Sequence, residues 1–170
     1  MTDLTTLDPY TEDQRVRVVV ETPRGSALKF EFDSVTEAIT ASRQLALGVR
    51  YPFDWGFVPG TRAADGDPVD AMVIHSFGTY PGVVLPCRVL GMVLVRQRDE
   101  GKDWLSNHRL IAIPAWSGAL KPRKPGLGRE LIAQLEQFFL DTSFFTAKEL
   151  RIEGWSGSRE AIRLINQSRI

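Results

Sequence analysis

The chain is poor in the residues that build covalent or soft-metal frameworks: of its 170 residues one is cysteine and two are histidine. A lone Cys87 excludes an intrachain disulfide, and its apolar setting, LPCRVLGMVLV, marks a small buried side chain in place of a reactive thiolate. His75 and His108 lie far apart and fit no metal spacing, so they read as surface or internally bonded histidines. Charge of either sign is not in excess. Lys+Arg and Asp+Glu both number 21, so no global field draws the chain to nucleic acid or to an anionic membrane, and any charge-based function is local. No run is long and apolar enough to span a bilayer, and the opening MTDLTTLDPYTEDQ has neither a basic leader nor an apolar core; a cytoplasmic protein is expected. Repeats, low-complexity tracts and interdomain linkers are missing too. With 43% hydrophobic and 25% charged residues, the reading is one domain over 1–170 with a sizeable core, residues 1–14 forming a loosely held arm.

What the chain does have is a dense acidic turn, Ala64–Met72, ADGDPVDAM. Asp65, Asp67 and Asp70 repel one another, and the repulsion is relieved by protonation, by solvent, or by a hard cation such as Mg2+ that takes oxygen ligands. Asp-Gly and Asp-Pro are also ordinary turn chemistry, so a solvated turn is the plain alternative. An EF-hand loop is excluded by spacing, because its glycine position is Asp70 and its closing glutamate position is Ser76.

Around this turn the periodicity is mostly that of strands. Arg15–Glu21 is β-branched, and Leu28–Asp33 alternates strictly, with Leu28, Phe30 and Phe32 on one face and Lys29, Glu31 and Asp33 on the other. Ser34–Leu47 is open between a short helix and a strand, with Arg43 near the end of an element. Tyr51–Thr61, YPFDWGFVPGT, is a stiff aromatic segment, either a core-packing loop or the wall of a site. Val69–Ser76, Cys87–Arg96 and Arg109–Pro114 are strands; the polar excursion Gln97–His108 carries Asp99, Glu100 and Asp103. Gly118–Gly128 is a proline-framed loop bearing Lys121, Arg123 and Lys124. Arg129–Asp141 has a helical apolar stripe of Leu131, Ile132, Leu135, Phe138 and Phe139. Leu150–Glu153 is a last strand, and Ser158 is placed to cap a last helix. Strands first and helices late indicate an α+β domain, a small antiparallel barrel with helices packed against it.

Taken together, ETPRGSALKFEFD, Arg43, YPFDWGFVPG, DGDPVDAMV, RLIAIP and the late IEGW resemble soluble family I inorganic pyrophosphatases from about Val16 to the C-terminal helix. The resemblance implies a five-stranded, OB-like barrel with two main helices, Mg2+ dependence with Mn2+ as a substitute, and hydrolysis of pyrophosphate to two phosphates. It implies a homo-oligomer, a hexamer in bacterial relatives of this length. By the same resemblance Asp65 and Asp70 hold activating metal ions, Asp67 accepts the proton of the attacking water, and Glu31 binds a metal that enters with substrate. Lys29 and Arg43 match phosphate-gripping cations, Glu21 and Tyr51 match polar positions of the cleft, and Arg109 stands where the family has a lysine. The chain departs from the pattern elsewhere: Asn107 replaces a bridging aspartate ligand, Gln97 a loop aspartate, Trp55 a tyrosine, and Thr142-Ser143 a Tyr-Lys pair. Asp99 and Asp103 are the candidate substitute ligands, and the Lys121, Arg123 and Lys124 loop the candidate substitute cation. The departures support a second function, a barrel that binds phosphate or a nucleotide with little turnover, as a sensor or assembly subunit. A nucleic-acid-binding barrel is disfavoured, because the aromatics cluster beside acids and do not interleave with bases.

Overall fold

The computed structural model describes residues 3–117, 127–144 and 146–170. In chain order its elements are β1 (Val16–Thr22), β2 (Leu28–Asp33), β3 (Ala38–Gln44), β4 (Asp54–Val58), β5 (Val69–Val73) and β6 (Val84–Asp99). They are followed by β7 (Leu105–Ser106), β8 (Arg109–Pro114), α1 (Arg129–Ser143), β9 (Lys148–Gly157) and α2 (Ser158–Ser168).

Five strands close into a ring in the order β1, β4, β5, β8, β6 and back to β1. Four of these pairings are antiparallel; β5 and β8 run parallel, with Ala71 opposite Leu110 and Val73 opposite Ala112. The long β6 causes this. It closes on β1 at its start and then reverses into β8, so β8 arrives beside β5 in the same direction. β6 also carries β9 from Gly91 to Asp99, where Gly91 is required because a Cβ would stand 2.5 Å from the Ser156 carbonyl oxygen. The hairpin β2–β3 stands apart as its own two-stranded sheet. The Ser34–Leu47 ambiguity thus resolves to a strand, held by pairing with β2 and mostly exposed.

Strand alternation divides the apolar side chains into two cores. One draws Val18, Val20, Val58, Ala71, Val73, Leu110 and Ala112 from the ring and is completed by Ala161 and Ile165 of α2. The other takes the opposite residues, Trp55, Met72, Val93, Val95 and Ile111, and meets Leu135, Phe138 and Phe139 of α1. Leu135 and Phe139 are fully buried there, each contributing about 1.5–3 kcal/mol of transfer free energy. The residues sharing this second face at the strand ends are polar: Asp70 precedes Met72 by two, Arg109 precedes Ile111 by two, and Gln97 and Asp99 follow Val95.

At the start of β4 the buried Asp54 carboxylate ties down two loops. It accepts from the Arg24 backbone N–H at 2.8 Å, from His75 Nε2 at 2.6 Å and from the Thr79 hydroxyl. Because His75 Nδ1 accepts from the Phe77 N–H, the imidazole is the neutral Nε2–H tautomer. Cys87 is buried and unpaired, and burial pushes its thiol up to about 12. The segment read as a loose arm makes contacts of its own: Tyr10 donates to Asn166, Asp8 pairs with Arg169, and Tyr10 bridges Val16. Ser158 is already helical and makes no capping bond; the extended Gly157, still paired to Gly91, is the N-cap. The Lys121, Arg123 and Lys124 loop lies outside the described residues. Among the described residues no helix is long and apolar enough to cross a membrane.

Candidate active site

Between the outer wall of the ring, the β2–β3 hairpin and α1 lies an open cavity of about 790 Å³. The hairpin supplies its cations through alternation and register. Lys29 and Arg43 are directly opposed across the ladder, and Glu31 follows two residues along β2 on the same face. Lys29 Nζ donates to the Glu31 carboxylate. Burial raises Glu31, but hydrogen bonds from Lys29 and Ser42 and the charges of Lys29 and Lys148 outweigh it and leave the group below its ordinary value. Arg43 donates to the Thr142 carbonyl at 2.6 Å, placing a cation where the last turn of α1 has exposed carbonyls and no basic residue.

The acidic turn enters from the other side. Ala63 N–H donates to the Asp67 carbonyl at 2.7 Å, and Gly66, at φ +94°, takes the left-handed position that lets the chain fold back. Asp65 turns one oxygen to the Asp67 N–H at 3.3 Å and the other to Gln97 Nε2 at 3.2 Å. Asp67 is exposed at the rim, and Asp70 sits deeper at the head of β5. Burial is the main force on Asp70. It pushes the carboxyl up to about 6 in spite of the nearby charges of Arg109 and Lys29. Asp65 is raised too, chiefly by burial. Glu21 accepts from the Phe32 N–H at 2.8 Å, and burial, reinforced by Asp70, pushes it up to about 8.

Arg109, at the head of β8, lies beside Asp70 because β5 and β8 run parallel. Its guanidinium stacks 4.7 Å from the Phe139 ring centroid and 5.3 Å from that of Trp55. Burial lowers it from its ordinary value, Asp70 opposes that, and among the described residues its Nε has no hydrogen-bond partner. Tyr51, buried against Phe138 and raised by burial, completes this wall, as do Asn107, Thr142 and Ser143. The aromatic segment is therefore both core and site wall.

Asp99 lines the cavity and pairs with Lys102 at 3.1 Å, whereas Asp103 is exposed and lies outside the wall. The excursion turns back at Gly101 and packs Trp104 on Arg98 and Arg151, on the strand face away from Gln97 and Asp99. Both histidines are internally bonded: His75 to Asp54, and His108 Nδ1 to the Val95 N–H at 3.1 Å. Two cavity cations, Arg62 and Lys148, have no sign in the sequence pattern. Lys148 carries no local motif, and only the β6–β9 register, which sets it opposite Asp99, brings it to the wall.

Acids outnumber bases on this wall: Glu21, Glu31, Asp65, Asp67, Asp70 and Asp99 against Lys29, Arg43, Arg62, Arg109 and Lys148. Glu21, Asp65 and Asp70 are raised chiefly by burial, and their all-oxygen donor set fits a hard divalent cation. Among the described residues, no three acidic, histidine or cysteine groups close on one point as a finished metal cage. The arrangement is an open cavity in which acids and cations are interspersed, suited to a polyanion that arrives with its own counter-ions.

A sequence model of the family described as inorganic pyrophosphatase matches residues 18–169. Curated relatives named inorganic pyrophosphatase include one from Aquifex pyrophilus, 35% identical over 161 residues, covering 89% of this chain and 86% of the relative. Another, from Synechocystis, is 30% identical over 167 residues, covering 97% and 96%. Among solved structures, the inorganic pyrophosphatase from Thermus thermophilus superposes with a TM-score of 0.87 at 28% identity, covering 98% of this chain and 97% of that one.

Proposed function

The chain belongs to the inorganic pyrophosphatase family, and from that premise we propose how its cavity hydrolyses pyrophosphate to two orthophosphates. The observation that carries the assignment of roles is the meeting of Asp65, Asp67 and Asp70 with Lys29, Arg43 and Arg109 in one cavity. The family is metal-dependent, and the ion we assign is Mg2+, with Mn2+ as a substitute, held by Asp65, Asp70 and Glu31. When bound, such an ion neutralises these acids and withdraws charge from phosphoryl oxygens. Of the other candidate ligands, Asn107 and Asp99 lie on the wall, the first as a neutral amide.

Lys29, Arg43 and Arg109 grip the phosphate oxygens and orient the anhydride, with Tyr51 and Glu21 shaping the polar cleft. A water oxygen forms a new bond to one phosphorus as the bridging P–O bond breaks, and the water's proton passes to the Asp67 carboxylate. Asp67 suits this role because its carboxylate is exposed at the rim and its backbone is pinned in the turn. The second orthophosphate leaves with the bridging oxygen. The reading includes a cytoplasmic homo-oligomer, hexameric by family resemblance.

The deciding experiment is orthophosphate release from pyrophosphate with Mg2+ and with Mn2+, for the parent and Asp67→Asn. The expected result is turnover in the parent and a loss of about 10²–10⁴-fold in the variant. Equal background rates in both, with a pyrophosphate analogue still bound, would favour a phosphate-binding protein with little turnover. The bond from Gln97 to Asp65, which occupies a ligand oxygen, is the observation that favours that alternative.

A further inference from the structure

The cations of the cavity are unequally committed. Lys29 is bonded to Glu31, Arg43 is bonded to the end of α1, and Arg109 is stacked on two rings. Arg62, exposed before the acidic turn, makes no side-chain bond among the described residues, and Lys148 is the uncommitted cation of the β9 side. Its side chain is exposed and lines the cavity, and among the described residues its ammonium makes no hydrogen bond or ion pair. Its backbone, by contrast, is fixed: Lys148 begins β9 opposite Asp99, and its N–H donates to the Thr146 hydroxyl at 3.2 Å. Residues opposed across an antiparallel ladder share a face, yet Asp99 takes Lys102 as its partner and leaves Lys148 uncommitted. The charge of Lys148 is felt at both Glu31 and Asp65, on two different walls of the cavity. A flexible stem on an anchored backbone, ending in an unpaired ammonium between acidic walls, is a cation held ready for an incoming anion.

We propose that Lys148 is a further substrate-binding residue, whose ammonium contacts a terminal phosphate of the bound polyanion from the β9 side of the cavity. The proposal rests on the pyrophosphatase reading. The sequence gives no local sign of it, since TAKELR contains no motif and only strand pairing makes the residue part of the site.

The test compares the parent with Lys148→Gln and Lys148→Arg by steady-state pyrophosphate hydrolysis, and by calorimetric titration with imidodiphosphate in the presence of Mg2+. Loss of one charge-assisted contact is expected to raise KM and weaken analogue binding by about 10- to 100-fold. The kcat should change by less than about threefold, and Lys148→Arg should recover most of the affinity. Unchanged KM and analogue affinity in Lys148→Gln would overturn the proposal. So would a tighter Mg2+ affinity with unchanged KM, which would mean that Lys148 only offsets Glu31 and Asp65. A parent inert toward pyrophosphate would defeat the hydrolase reading alone, because the analogue titration judges Lys148 by itself.

Discussion

Gln97 donates its side-chain amide to Asp65, 3.2 Å from Nε2 to Oδ2, joining the far end of β6 to the acidic turn. A neutral donor here holds a carboxylate in place where a second carboxylate would repel it. Gln97→Glu is nearly isosteric and reverses the sign of that interaction. The expected outcome is a metal-free protein of lower Tm and a divalent-ion affinity about tenfold higher, since two acids at this distance share a cation well. Calorimetry of the apoprotein and titration with Mg2+ check both halves.

The raised carboxyls make metal-free stability depend on pH in a definite direction. Glu21 is pushed up to about 8 and Asp70 to about 6, both by burial first, so the folded chain binds more protons than the unfolded chain across this range. Stability is therefore fully present below the ordinary carboxyl values and is lost as pH rises through about 6 and then about 8. Thermal melts in chelator should show Tm falling by several degrees between pH 5 and pH 8, and saturating Mg2+ should flatten the curve. A Tm that rises with pH in chelator would contradict the burial of these groups.

Phe139→Ala tests the floor beneath Arg109. Phe139 is fully buried and packs on Trp55, so its truncation should cost about 3–5 kcal/mol of stability by denaturant unfolding. Removing the ring also frees the guanidinium above it, and KM for substrate should rise even at temperatures where the variant is folded.

Asp54→Ala leaves the Arg24 N–H, the His75 Nε2–H and the Thr79 hydroxyl without their acceptor in a buried place. A loss of about 3–5 kcal/mol is expected. Because none of the three donors lines the large cavity, kcat measured well below the lowered Tm should stay near that of the parent.

Strict alternation made the bounds of β2 readable, and with them the common face of Lys29 and Glu31, although burial along the strand does not alternate and Leu28 is exposed. β3 lacks that alternation: its residues are exposed on both faces, and its existence depends on the partner strand. The acidic turn was legible because its residue types are unusual at such density. The fates of Asp99 and Asp103 were not, because a turn at Gly101 decides which acid faces the cavity, and turn direction in a polar run leaves no hydrophobic trace. Lys148 and the bond from Gln97 to Asp65 depend on register between distant strands, which no local window contains.

The one parallel seam in the ring has a bearing on how the molecule comes into being. β5 is made long before β8, and the two can be zipped together only after the intervening sixteen-residue β6 has wrapped round to β1. Asp70 and Arg109, which meet across that seam, therefore become neighbours late in maturation. Until then Asp70 lacks the guanidinium of Arg109, and recovery of catalysis after dilution from denaturant should lag behind the return of sheet signal.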